Sequence, residues 1–351
     1  MIVKKLHSNG LICLGNVKII MVSVVMPAYN VEKYISEAID SIISQTYKDW
    51  ELIIVDDCST DNTVAIVESY VEKYHNIRLI KRKVNSAGCR LPRFDGVLAA
   101  KGEFVCPIDS DDILEPKYLQ KCIERQKATN VDIISNQLVF CDENGKERQY
   151  VIPNRSFDTL HVLDAHDAVK LTIGGWKISV SGMLVNRDLY HTYIRDNYNS
   201  EYNFGFVDEL DQRKLLLLTD KIAFSDAKYY YRQQPQSIVH RVSKKYYEVL
   251  VAEKLLFEFV EQNYKSDREI YNKGCNNYLS QLLICQRLFL ERKKDYTKED
   301  QKEIKGKIKS AFYFAKEKKM IATGFKQKIS LLSYPIFVLI SYIYVFYLSL
   351  K

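Results

Sequence analysis

The stretch "WELIIVDDCSTDNT", Trp50 to Thr63, decides how the chain is read. A run of apolar, partly β-branched side chains ends on two adjacent carboxylates, Asp56 and Asp57. A turn of hydroxyl and amide residues follows at once, with Asp61 or Asn62 suited to cap the next helix. The continuation "VAIVESYVEKY" has helical spacing, so strand, polar turn and helix succeed one another in a single unit. Alone, such an acidic turn is a solvated cap. Repeated at other strand ends, it is the edge of a ligand site.

The unit does repeat. "VSVVMP" from Val22 predicts a buried strand, followed by a helix carrying Tyr34, Ile35, Ala38, Ile39, Ile42 and Ile43 on one face. "IRLIKR" predicts a third strand, with a third helix over Arg93–Lys101. "EFVCPID" predicts a fourth strand, "EPKYLQKCIERQKA" a fourth helix and "VDIISNQLVF" a fifth strand. Alternation of this kind predicts an α/β domain with a mostly parallel sheet and helices on both faces. Ligands then bind beyond the carboxyl ends of the strands. Strand one ends in "PAYN", strand two in Asp56–Asp57 and strand four in "DSDD", Asp109 to Asp112. Carboxylates converging there would repel one another and raise each other's pKa. A hard divalent cation with oxygen ligands, shared with substrate phosphates, relieves that cost. Neither G-x-G-x-x-G nor G-x-x-x-x-G-K-[ST] occurs, which argues against dinucleotide oxidoreductases and P-loop nucleotidases.

With 351 residues, the chain has room for one large domain and a smaller one. Its net charge of +7 is local: Glu291 to Lys328 holds 13 Lys or Arg against 6 Asp or Glu, and the remainder is balanced. Eight scattered cysteines form no C-x-x-C pair, so free thiols are expected rather than a zinc or redox site. Residues 1–20 read as an extension without a signal-peptide core. From Tyr246 to about Lys319 the pattern is helical. Residues 329–350 are uncharged, and the segment 326–351 is expected to associate with a membrane, either spanning it or lying on it. The basic block before it would meet anionic lipid on the cytoplasmic side, and no nucleic-acid patch is found.

"VSVVMPAYNVEKYISEAIDSIISQTYKDWELIIVDDCSTDNT" and "NSAGCRLPRFDGVLAAKGEFVCPIDSDD" closely resemble the family 2 glycosyltransferases, inverting enzymes of GT-A fold, over roughly residues 22–225. Cys58 stands where glycine is commonest and Phe94 where asparagine is usual. The resemblance implies a Rossmann-like three-layer sandwich over residues 21–240, with a nucleotide-binding half (21–112) and an acceptor half (113–240). A helical region (241–320) and the membrane-associating tail follow. Pro27, Ala28, Tyr29, Asn30 and Glu32 would line the nucleotide. Asp57 would accept the uracil imide N–H, a pairing suited to an acceptor-only carboxylate. Arg93, whose alternative is an exposed helix-face arginine, would partner the ribose or diphosphate. Asp109 and Ser110 would reach the nucleotide, and Asp111 would bind Mn²⁺ or Mg²⁺. Asp112 would either support that ligand or simply open the next helix.

In "GFVDELDQRKLLLL" the resemblance places the catalytic base at Asp208 or Glu209, in an order inverted from the usual Glu-Asp. Trp176 would stack on an acceptor sugar unless it is core. Arg232, Ser237 and His240 in "YYYRQQPQSIVHR" would close over the diphosphate. The expectation is a cytoplasmic-face, membrane-attached enzyme that moves a sugar from a UDP-sugar to a hydroxyl of a glycan or lipid-linked acceptor. The rivals are a nucleotidyltransferase and a non-catalytic, membrane-tethered nucleotide-sugar-binding module.

Overall fold

The computed structural model of the chain describes residues 6–7, 10–11, 19–143, 145, 147–152, 162–198, 202, 206–233, 243–320 and 333–349. Near the amino terminus β1 (Leu6–His7) and β2 (Gly10–Leu11) pair as a two-rung hairpin. The main sheet begins with β3 (Val22–Ala28), α1 (Ile35–Ile43), β4 (Trp50–Asp56), α2 (Thr63–Val71), β5 (Ile77–Lys81), α3 (Arg90–Leu98) and β6 (Phe104–Pro107). These four strands are parallel, in the order β6-β3-β4-β5. Their apolar runs are continuous because both faces are covered. Val24, Met26, Leu52 and Ile54 enter the core beneath α1, while Val25, Ile53 and Val55 enter the one beneath α3.

The second half adds β7 (Ile113–Leu114), α4 (Tyr118–Thr129), β8 (Ile133–Cys141), β9 (Glu147–Ile152), β10 (Val162–Asp164), α5 (Ala165–Lys170), β11 (Leu184–Asn186), α6 (Arg187–Asn197), α7 (Asp208–Leu216) and β12 (Lys221–Arg232). The sheet has ten strands and is mixed, a correction to the mostly parallel expectation. The three-residue β11 runs antiparallel between β6 and β8, with Val185 paired to both Val105 and Ile133. It closes the gap between the two parallel blocks, β3–β6 and β8–β12. Without β11, β8 would be left open at Ile133 and Ile134, since β9 pairs only with its far end at Leu138–Cys141.

Helix α3 sits directly on the sheet. A methyl at Gly96 would collide with Val25 and crowd Val55, so glycine lets the helix approach. That approach carries Arg93, one turn earlier, toward the carboxyl ends of the strands. The helix starts three residues earlier than expected, at Arg90, because Pro92 is tolerated within a first turn.

Beyond a 3₁₀ turn at Lys244–Glu248 come α8 (Val249–Tyr264), α9 (Arg268–Arg292) and α10 (Lys298–Glu317). Tyr247, Leu250, Phe257, Tyr278, Leu282, Phe289, Ile308 and Phe312 form their core. Leu256, Phe259, Val260 and Tyr264 of α8 instead join the core of the sheet domain, so the two regions share buried surface. Of the two forms expected for the tail, the spanning one is not found among the described residues. The tail's described part, α11 (Tyr334–Ser349), has 16 residues and buries Phe337 against Phe312. Among the described residues no helix is long and apolar enough to cross a membrane. Residues 326–332, 350 and 351 lie outside the described set.

Candidate functional site

Three loops leave the carboxyl ends of β3, β4 and β6. The first two are laced together. Asn30 accepts the Thr60 N–H at 2.7 Å through its side chain, and its own N–H donates to Ser59 Oγ at 3.0 Å. Glu32 accepts from Asn62 N–H at 2.9 Å, while Asp61 accepts from Glu32 N–H at 3.1 Å. Asn30 and Glu32 therefore act first as fasteners, leaving the exposed Tyr29 beside the strand end; Pro27 is buried within β3. Cys58 has φ +67°, the left-handed region where glycine is favoured. Asp56 holds the turn by accepting from Cys58 and Ser59 N–H, both at 3.1 Å.

Asp57 is buried and accepts from Ser86 N–H at 2.9 Å and from Ser86 Oγ at 2.9 Å. Arg82 Nε lies 3.1 Å from Oδ1 without being aimed as a donor. Burial pushes the Asp57 carboxyl up, and the Ser86 donors and Arg82 oppose that shift. Ser86 Oγ is also 2.7 Å from the Gly88 carbonyl. One hydroxyl proton serves one acceptor at a time, so turning it to Gly88 frees a lone pair on Asp57.

At the end of β6, Asp109 accepts from Arg93 Nη2 at 3.0 Å. Arg93 is only 6% exposed, so the helix-face alternative is wrong, and its buried Nε has no hydrogen-bond partner among the described residues. Burial and the nearby Asp109 charge push Asp111 up to about 6, against the pull of Arg232. Ser110 is buried. Buried Asp112 accepts from Tyr229 Oη at 2.7 Å and from Arg232 N–H at 2.8 Å. Tyr229 Oη in turn accepts from Asp109 N–H at 3.1 Å. Asp112 is a girder under the turn, whose burial, with Asp111 beside it, drives its pKa well up.

Arg232 does not reach out over a ligand. Its guanidinium donates to the carbonyl of Asp111 at 2.8 Å, to the carbonyl of Glu143 at 2.7 Å and to Glu37 at 2.6 Å. It braces the acidic turn from behind. Ser237 and His240 lie outside the described residues.

Asp208 opens α7 and, with Asp109 and Arg93, lines a cavity of about 360 Å³ that Trp176, Tyr229 and Tyr231 also line. Burial pushes Asp208 up to about 6; Arg93 holds it down, and the Glu209 and Asp109 charges push it further up. Glu209 lines the same cavity but is exposed and tied to Arg213 at 3.3 Å. Arg213 donates to Thr172 Oγ1 and its carbonyl, both at 2.9 Å, and lies 4.2 Å over the Trp176 ring. One face of Trp176 is thus taken by a cation.

The structure brings Asp109, Arg93 and Asp208 together. Asp57 and Asp111 do not line that cavity. Among the described residues no group of three or more His, Cys, Asp or Glu side chains is arranged to hold a metal ion. A cation shared with a diphosphate needs only one or two carboxylates, and the mutual repulsion of Asp109 and Asp111 suits that demand.

Sequence reading missed the tie that fixes α7. Arg90 Nε donates to buried Asp211 at 2.7 Å, and Tyr193 Oη donates to the same carboxylate. Arg90 and Asp211 are 121 positions apart, and no local pattern joins them. The Glu209–Arg213 pair, by contrast, is legible as i,i+4.

The family described as Glycosyl transferase family 2 matches residues 23–190. The chain carries a family 2 glycosyltransferase domain. It is 28% identical to the glycosyltransferase GlyG of Streptococcus pneumoniae over 62% of this chain and 73% of that protein. It is 33% identical to a poly(ribitol-phosphate) beta-glucosyltransferase of Bacillus spizizenii over 60% of this chain, which spans only 32% of that longer protein. The transferase fold is shared with Staphylococcus aureus TarS residues 1–349, at TM-score 0.55 and 24% identity, covering 74% of this chain and 72% of that one. The same fragment has been solved with UDP.

Proposed function

We propose that this transferase moves a sugar from a UDP-sugar to a hydroxyl of a glycan or lipid-linked acceptor, with inversion, in cell-surface polysaccharide synthesis at the cytoplasmic face of a membrane. One observation carries the reading: Arg93 pairs with Asp109 and lowers Asp208 in a single cavity. A carboxylate placed to take a proton therefore faces the group that anchors the donor side. The complex of TarS with UDP and the poly(ribitol-phosphate) in the Bacillus relative's name support the donor and the setting.

The acceptor hydroxyl enters beside Asp208. Its oxygen forms a bond to the sugar C1 as the bond from C1 to the UDP oxygen breaks on the opposite face. The hydroxyl proton passes to Asp208, and UDP leaves with the bonding pair. Asp208 is the base rather than Glu209, because Glu209 is held by Arg213 and is exposed. A pKa near 6 keeps Asp208 ionised at neutral pH yet basic enough to accept a proton. Arg93, with Nε uncommitted, faces the negative charge of the diphosphate. Asp57, with one lone pair released by Ser86, accepts the uracil N–H. A divalent cation, Mn²⁺ or Mg²⁺, would be held by Asp111 with Asp109 beside it and would neutralise charge on the leaving diphosphate.

The test is UDP release from a panel of UDP-sugars, with acceptor hydroxyls, with and without Mn²⁺. Release that requires acceptor and a cation supports the reading. Tight UDP binding with no release across the panel favours the non-catalytic module.

A further inference from the structure

The basic block is organised by α10. At 100° per residue, Lys298, Lys302, Lys305, Lys309, Tyr313 and Lys316 fall within about 80° of arc, as one exposed stripe roughly 27 Å long. The buried side of the helix is formed by Ile304, Ile308, Ala311, Phe312 and Ala315. Asp300 and Glu303 stand on another flank and pair with lysines off the stripe: Lys244 lies 3.1 Å from both Asp300 and Glu303, and Lys307 lies 3.0 Å from Glu303. Among the described residues, Lys298, Lys302 and Lys309 have no ion-pair partner. Lys298, Lys302 and Lys309 are therefore unneutralised positive charge, set apart from the paired Asp300 and Glu303.

Apolar surface is exposed at Tyr313 of the stripe and on the helix that follows. Tyr313, 52% exposed, stacks on Tyr334 in the first turn of α11 with ring centroids 6.3 Å apart. Further along α11, Leu339, Tyr342 and Ile343 are 58%, 48% and 60% exposed, at spacings that share one helix face. Phe337 and Ser341, on the other face, are buried in the helical region. Sixteen residues reach about 24 Å, short of a bilayer core of about 30 Å, and the buried face keeps the helix docked on the protein.

We propose that the α10 lysine stripe and the exposed α11 face form a peripheral docking surface for the anionic headgroups of a membrane, with α11 lying on the bilayer rather than through it. Lysines attract the charged surface over a Debye length, and the tyrosines, leucine and isoleucine enter the headgroup boundary. A soluble polyanion would use the lysines alone and leave the apolar face without a role. The proposal rests on the membrane location given above. Lipid binding is read without any sugar transfer, so the two fail separately.

The experiment is co-sedimentation of the full chain with vesicles of phosphatidylcholine alone or with about one-third phosphatidylglycerol, at low and high salt. Binding is expected only to the anionic vesicles, and less at high salt. Joint replacement Lys302→Glu, Lys305→Glu and Lys309→Glu should cut the bound fraction by about tenfold or more. The pair Leu339→Glu and Ile343→Glu should cut it without altering the salt slope. Unchanged helix content and UDP release would show that the variants fold, and the milder Lys→Gln set should lose part of the binding. No vesicle binding, equal binding to both vesicle types, full binding by the triple variant, or capture of long-chain polyphosphate without vesicles would overturn the proposal.

Discussion

Arg93 donates from Nη2 to Asp109 across 3.0 Å, and the same guanidinium holds down the pKa that burial raises at Asp208. One cation thus links the donor-side turn after β6 to the proposed base at the start of α7. Arg93→Gln removes that charge while keeping a polar side chain. It should lower kcat by about 10²-fold or more. The acidic limb of its pH profile should also move to higher pH, since the influence lowering Asp208 is gone. A limb that stays in place would separate Arg93 from Asp208.

The wild-type pH profile follows from the same carboxylate. Asp208 is pushed up to about 6, so it accepts protons only while ionised, above that value. Turnover should fall as pH drops through about 6, and a plateau should hold at neutral pH. Initial rates across the range check this; a profile flat down to pH of about 4, the ordinary carboxylate range, would contradict it.

The buried Arg90–Asp211 pair ties α3 to α7. Asp211→Ala strands a buried guanidinium and should destabilise the protein by ~3–5 kcal/mol. Replacing both partners with apolar residues of similar volume should cost much less. Urea titration of the single and double variants measures the difference.

Much of this was legible in the residues. "VSVVM" and "WELIIV" announce strands covered on both faces because alternate residues enter two separate cores. The placement of Asp109 just past a strand end was readable from the pattern, and that of Asp208 at a helix start through the family resemblance. Strand β11 was not, because three residues in a glycine-containing segment carry no period. Arg232 was misplaced for a related reason. Sequence gives the charge at the end of β12, but only coordinates show Glu37 and two carbonyls already holding it. The spanning form of the tail was overread because uncharged length alone does not show that Phe337 is claimed by the helical core.

Gly96 tests whether α3 must lie this close to the sheet. Gly96→Ala drives a methyl into Val25 and against Val55. Overpacking there should cost ~1–3 kcal/mol. Because Arg93 rides on the same helix and is proposed to face the diphosphate, kcat and UDP affinity should both fall. A fully stable, fully active variant would mean the helix has room that the packing denies.

The most direct test of the account is Asp208→Asn, measured for both UDP-sugar binding and sugar transfer. The side chain keeps its shape and loses its basicity, so binding should stay within about threefold while transfer falls by about 10²- to 10⁴-fold. Transfer at the wild-type rate in that variant would contradict the assignment of Asp208 as the proton acceptor, and with it the proposed chemistry of the cavity.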